Sequence, residues 1–227
     1  MYKRQTLEFS LLTAPKPKLN TFDGRSVFPA QAGPTQVDEQ YVVLEQEDFR
    51  TRLLLPEVLP DATVTGEWQD WNGDLSARVY TRPAGSLPSR PPQNPVAAPL
   101  GDGIRLVGYD LLPGDPHPGG ILYVQLHWAV DSPPTQDWTV FVHLLAPVEL
   151  PDEGWTLMAG KDSPPGNDSL VTTRWQTGWL ILDEYQVPLP ADLPPGTYAL
   201  EIGLYRADGA HLPAAGSIRL GEVSVGN

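Results

Sequence analysis

Adjacent acids at Asp183-Glu184 suggest at first sight the paired carboxylates of glycoside hydrolysis. They fall in a predicted strand, where neighbouring side chains leave on opposite faces, whereas a general acid and its base must flank one bond. The pair is therefore excluded as catalytic machinery. Asp152-Glu153 and Asp162 fall in predicted loops, where carboxylates of this kind can hold calcium. Their spacing follows no ordered ligand set, so they read as solvated acids and no metal site is assigned. Nucleophile elbows, phosphate-cradling glycine loops and His-Glu-x-x-His helices are absent from the sequence, and no catalytic residue is named.

His127 and His143 sit on two strands of clean alternation, facing away from the apolar rows. Paired as a hairpin across 131–137, those strands would bring both imidazoles to one face, able to hold a metal or a sugar. In an immunoglobulin topology they belong to opposite sheets, which sets the histidines on opposite outer surfaces. That second arrangement is the expectation. The remaining candidates are aromatic. Trp155, Trp175 and Trp179 lie in or beside the long turn around 162–178, together with Arg174 and Asp162. Tryptophan faces beside polar groups stack on sugar rings or on a protein partner, and the same rings also serve to cap a sandwich end. These five residues are the candidate ligand site, with no cofactor.

The elements that must position such groups are short strands. Twenty-six prolines and 21 glycines punctuate apolar runs over 227 residues without forming a repeat. No stretch is long and apolar enough to span a bilayer. With no cysteine, disulfides and thiolate metal sites are excluded. The net charge of -13 is concentrated in residues 100–227, which carry 5 basic and 16 acidic side chains. Such a surface repels phosphate backbones, so nucleic acid is not a partner.

Residues 1–19 read as a tail, and Met1 to Gln5 resemble a translated transposon end, a scar that implies a natural chain continuing upstream. Residues 20–85 read as a small α/β unit. It has a strand at 41–44, a helix capped by Asp48 that Pro56 must disrupt or end, and a hairpin turning at Trp71-Asn72-Gly73-Asp74. Its core is thin and must lean on something else. Residues 86–99 read as a stiff proline linker. From residue 100, strands near 104–112, 120–130, 138–146, 155–161, 179–188, 197–206 and 217–225 predict an immunoglobulin-like antiparallel β-sandwich. The run Leu193-Pro194-Pro195-Gly196-Thr197-Tyr198 places a tyrosine just inside a strand, as in the tyrosine corner of such sandwiches. The fold class is mainly β.

Residues 100–227 resemble a domain of large bacterial multi-pass glycosyltransferases related to dolichyl-phosphate-mannose–protein mannosyltransferases. The resemblance is carried by Trp138-Thr139-Val140-Phe141-Val142-His143-Leu144-Leu145, Asp162-Ser163-Pro164-Pro165, Thr172-Thr173-Arg174-Trp175 and Asp183-Glu184-Tyr185. It continues through Leu193-Pro194-Pro195-Gly196-Thr197-Tyr198, Gly203-Leu204-Tyr205 and His211-Leu212-Pro213. Residues 20–85 resemble, more loosely, the small α/β segment that follows the last membrane helix in those proteins. Where the family has a short Asp-Gly turn, this chain has the longer loop 146–154. The family's sugar transfer is expected in a membrane portion that uses a polyprenyl-phosphate sugar donor, so no catalytic residue carries over. The resemblance implies a non-catalytic, extracytoplasmic region, tethered through the rest of a membrane protein without inserting itself, and contacting glycan or that protein's membrane-embedded portion. The alternative is a stand-alone cell-surface adhesion or protein-interaction module.

Overall fold

A computed structural model describes residues 19–33, 36–147 and 154–226. The expectations for residues 1–5, for most of the tail, and for Asp152-Glu153 with most of their loop fall outside the described residues. Among the described residues the fold is mainly β, an immunoglobulin-like sandwich with a small third sheet and one short α-helix packed on its outside.

The sandwich forms because its strands alternate. In β7 (Ile121–Val130), Leu122, Val124, Leu126, Trp128 and Val130 point inward and are buried. In β8 (Thr139–Pro147), Val140, Val142 and Leu144 do the same from the facing sheet. β11 (Gly196–Tyr205) adds Tyr198, Leu200, Ile202 and Leu204. Each fully buried aliphatic side chain contributes about 1.5–3 kcal/mol, so these rows dominate the stability of the fold. The first sheet runs β1 (Val27–Gln31), β10 (Leu180–Pro188), β7, β6 (Ile104–Leu111), β5 (Asn94–Gly101). The second runs β9 (Trp155–Ser163), β8, β11, with β12 (His211–Leu212) and β13 (Ile218–Val225) both along the free edge of β11. The Tyr198 hydroxyl donates to the Pro194 carbonyl and closes the tyrosine corner.

Two boundaries differ from expectation. The proline linker ends at residue 93, because 94–101 forms β5. Pro95 and Pro99 are tolerated there because β5 is an edge strand, where a missing N–H need not face a partner, and its register is irregular at both positions. The close approach depends on Gly108, where a Cβ would meet the Asn94 carbonyl oxygen at 2.4 Å. At the other edge, β1 from the N-terminal segment completes the sandwich by pairing with β10. It is buried on both faces, so it shows no alternation for a sequence reading to find.

The small unit holds β2 (Glu39–Leu44), β4 (Leu75–Arg82) and β3 (Thr63–Gln69) in that order, with α1 (Phe49–Val58). Gly73 turns the β3–β4 hairpin at φ +89°. Asp48 caps α1 by accepting from the Thr51 N–H at 2.9 Å. Pro56 does not end the helix, which continues to Val58. Proline costs the bond its N–H would have made, yet burial of Leu55, Val58 and Leu59 holds the last turn in place. The unit leans on the sandwich: Phe28 and Ala30 of β1 and Leu182 of β10 complete its core with Tyr41, Val43, Leu55, Val58, Leu59 and Tyr80. Among the described residues no helix is long and apolar enough to cross a membrane.

Candidate binding face

The outward positions of the second sheet bring together side chains from four strands. Register places Phe141 of β8 opposite Asp162 of β9 on one side and Gly203 of β11 on the other. His143 lies opposite Gly160, and Tyr205 pairs with His211 across β11 and β12. The two glycines leave room for the rings. A Cβ at Gly160 would meet His143 Cδ2 at 2.7 Å, and one at Gly203 would meet Phe141 Cζ at 2.5 Å. His143 therefore leans over β9 and Phe141 over β11, their rings stacked with centroids 4.6 Å apart. Phe141 meets Tyr205 at 6.3 Å, and Tyr205 meets His211 at 6.2 Å. The result is a continuous strip of four rings, buried at Phe141 and open to solvent at His211.

Asp162 is the polar hub of this strip. Its Oδ1 lies 2.8 Å from His143 Nε2, and its carboxylate acts on the Tyr205 phenol. Burial pushes the Tyr205 phenol above its ordinary range, and the Asp162 carboxylate pushes it further. β9 runs to Ser163, two residues beyond the expected end, so Asp162 stands on the sheet and not in a loop. What this arrangement offers is flat ring faces flanked by a carboxylate and imidazoles, a surface suited to stacking and hydrogen bonding.

The five sequence candidates do not form one site. Asp162 and Trp155 both lie on β9, with Asp162 in the strip and Trp155 at the opposite end of the strand. The Arg219 guanidinium sits 3.9 Å over the Trp155 ring, covering one face, and the indole is half-exposed. Trp175 and Trp179 are each 1 % exposed and belong to the sandwich core. Trp175 donates its Nε1–H to the Leu170 carbonyl at 2.9 Å and packs on Trp128. Neither indole has an open face, because apolar area of that size gains more from burial than from exposure in a turn. Arg174 donates to the Ser169 carbonyl and, at 2.6 Å, to the Thr21 carbonyl, fastening the long turn to the N-terminal segment. Phe141, Tyr205 and His211 were not singled out from sequence as ligand groups. Strand parity already placed Phe141, His143 and Tyr205 outward, but only sheet order makes them neighbours.

His127 and His143 lie in opposite sheets, as the immunoglobulin topology requires. His127 is nevertheless buried, since the small unit covers its face. There Asp110 accepts from His127 Nε2 at 3.0 Å, from Gln125 at 3.1 Å and from the Gln93 backbone N–H at 2.7 Å. Burial alone would raise the Asp110 carboxyl, but the His127 and Gln93 donors and the Arg90 guanidinium hold it below the usual carboxylate range. Arg50 of α1 reaches into the same layer, 2.7 Å from Glu184 and 2.9 Å from Gln125. Glu184 thus faces the small unit while Asp183 faces the core, so the adjacent acids do part to opposite faces. Asp183 is fully buried, accepting from the Tyr185 hydroxyl at 2.7 Å, the Gly166 N–H at 2.9 Å and, more distantly, Trp128 Nε1. Burial outweighs these donors and lifts its carboxyl to about 6.

Among the described residues no group of three or more His, Cys, Asp or Glu side chains is placed to hold a metal. Neither a protein-family model nor a curated protein matches the chain.

Proposed function

We propose that this chain is a non-catalytic, extracytoplasmic binding region of a membrane glycosyltransferase-like protein, and that the ring strip of its second sheet contacts glycan or acceptor. The single observation supporting glycan contact is the strip itself: the rings of His143, Phe141, Tyr205 and His211 in line, the first two seated over Gly160 and Gly203, with Asp162 beside them. Sugar rings present C–H faces that stack on aromatic rings and hydroxyls that pair with carboxylate and imidazole. The family resemblance supports the setting, and the acidic surface suits neutral or basic partners better than nucleic acid or anionic lipid.

The test is a binding screen of the wild-type chain against cell-envelope glycans, repeated with Tyr205→Ala and His211→Ala. Removing one stacking ring should weaken binding about tenfold, the equivalent of roughly 1.4 kcal/mol. Absence of any glycan binding, together with full transferase activity of the longer protein after deletion of residues 100–227, would refute the reading. A second reading, protein interaction, is favoured by a different surface. The outward face of the small sheet exposes Val42 and Trp68, and the hairpin tip exposes Trp71 at 93 %.

A further inference from the structure

A cavity of about 310 Å³ separates the small unit from the sandwich, on the side of the molecule opposite the ring strip. Its walls are the end of α1 at Val58, the outward face of the first sheet at Val107 and Leu182, and the proline strap at Pro91 and Pro92. The space is a cleft open to solvent at its mouth and large enough to admit a small organic molecule.

The strap explains why the space stays open. Its near end is fastened to α1, with the Ser89 N–H donating to the Val58 carbonyl at 2.9 Å and Arg90 donating to Glu57 at 2.7 Å. Its far end is fastened to the sheet by the Gln93 N–H on Asp110. Between those anchors Pro91 and Pro92 fix their own φ angles, so the strap stands off from the sheet and does not fold down into the gap.

Three polar side chains line this otherwise apolar space, Ser89, Arg90 and His127, and the Ser89 hydroxyl is committed to the Glu57 carbonyl. Arg90 is matched by the carboxylates of Glu57 and Asp110, so the cavity does not call for an anion. His127 is 5 % exposed, and its Nε2–H is committed to Asp110. That contact sets the tautomer and leaves Nδ1 as an acceptor, which takes no hydrogen bond from any described residue. An apolar cleft with one acceptor that no protein group engages fits one kind of occupant. We propose that the cavity is a binding site for a small uncharged ligand, an aromatic ring or short alkyl chain carrying one hydroxyl, with the hydroxyl donating to His127 Nδ1. This site is independent of the ring strip and of any glycan reading.

Phenol and benzene are the probes, titrated into the full chain at pH 8 with thermal shift and the His127 imidazole nitrogen resonances as readouts. They match in shape and differ by the one donor. Phenol should bind saturably with a Kd of about 1 mM or tighter, within reach of a ligand of that size. It should also move the His127 nitrogen signals and bind about threefold to tenfold tighter than benzene, the ratio one added hydrogen bond gives. Val107→Phe, at a partly exposed outward position, should fill the chamber and abolish binding of both. Phenol binding no tighter than benzene, no saturation, or unchanged phenol binding in Val107→Phe overturns the proposal. The comparison of the two probes on wild-type protein decides the matter even where the variant does not fold.

Discussion

Replacing Asp183 with asparagine should make this protein more stable at neutral pH and leave it nearly unchanged in acid. In the folded state the Asp183 carboxyl is lifted from 3.8 to about 6, mainly by burial, so the folded chain holds a proton there over a range where the unfolded chain has released it. Stability therefore falls as pH rises through that window. Wild type keeps the full benefit of the protonated carboxyl below about pH 4 and has lost it above about pH 6.5. A difference of about two pH units, at about 1.4 kcal/mol each, amounts to about 3 kcal/mol between the two ends. The side-chain amide of Asp183→Asn mimics the protonated acid: its oxygen can accept from the Gly166 N–H and its NH2 group can donate to the Tyr185 hydroxyl. Urea unfolding of both proteins at half-unit steps from pH 4 to 7.5 measures the difference directly, and every other titrating group cancels in the subtraction. The variant should gain about 2.5 kcal/mol relative to wild type across the series. A wild-type-minus-variant difference that stays flat, or that moves in favour of wild type as pH rises, would refute the assignment of Asp183 as a buried, proton-retaining acid.

Two further changes probe the joints of the fold. Tyr198→Phe removes the bond to the Pro194 carbonyl and should cost about 1–1.5 kcal/mol in chemical denaturation, with no change in fold by circular dichroism. Arg50→Met leaves Glu184 nearly buried without its cation and should cost about 3–5 kcal/mol, whereas Arg50→Met with Glu184→Gln should recover most of that loss. A double variant as unstable as the single one would show that Arg50 acts through packing and not through charge.

The sandwich strands after β5, apart from the two-residue β12, were legible because each is a short apolar run set off by proline or glycine turns, with clean alternation in β7 and β8, and because Tyr198 follows a proline corner. The capped helix start at Asp48 and the Gly73 hairpin were legible for a similarly local reason: cap and turn chemistry act within four residues. β1 was not legible, since both of its faces are buried, one by the sandwich and one by the small unit. Parity also separated Asp183 from Glu184, though not which face was the core.

The candidate site divides along the same line. Residue type alone suggested that Trp175 and Trp179 were available to a ligand, but exposure is a property of what packs on a ring, and the sandwich core packs on both. Strand alternation in the sequence determined that Phe141, His143 and Tyr205 point away from the apolar rows. Only the tertiary structure decided that β9, β8, β11 and β12 lie side by side, aligning those rings with Asp162 and His211, and that α1 and the proline strap bury His127 beside a cavity. The reason is physical: alternation is enforced by the geometry of a single strand, whereas adjacency is set by hydrogen bonds and packing between segments far apart in the chain.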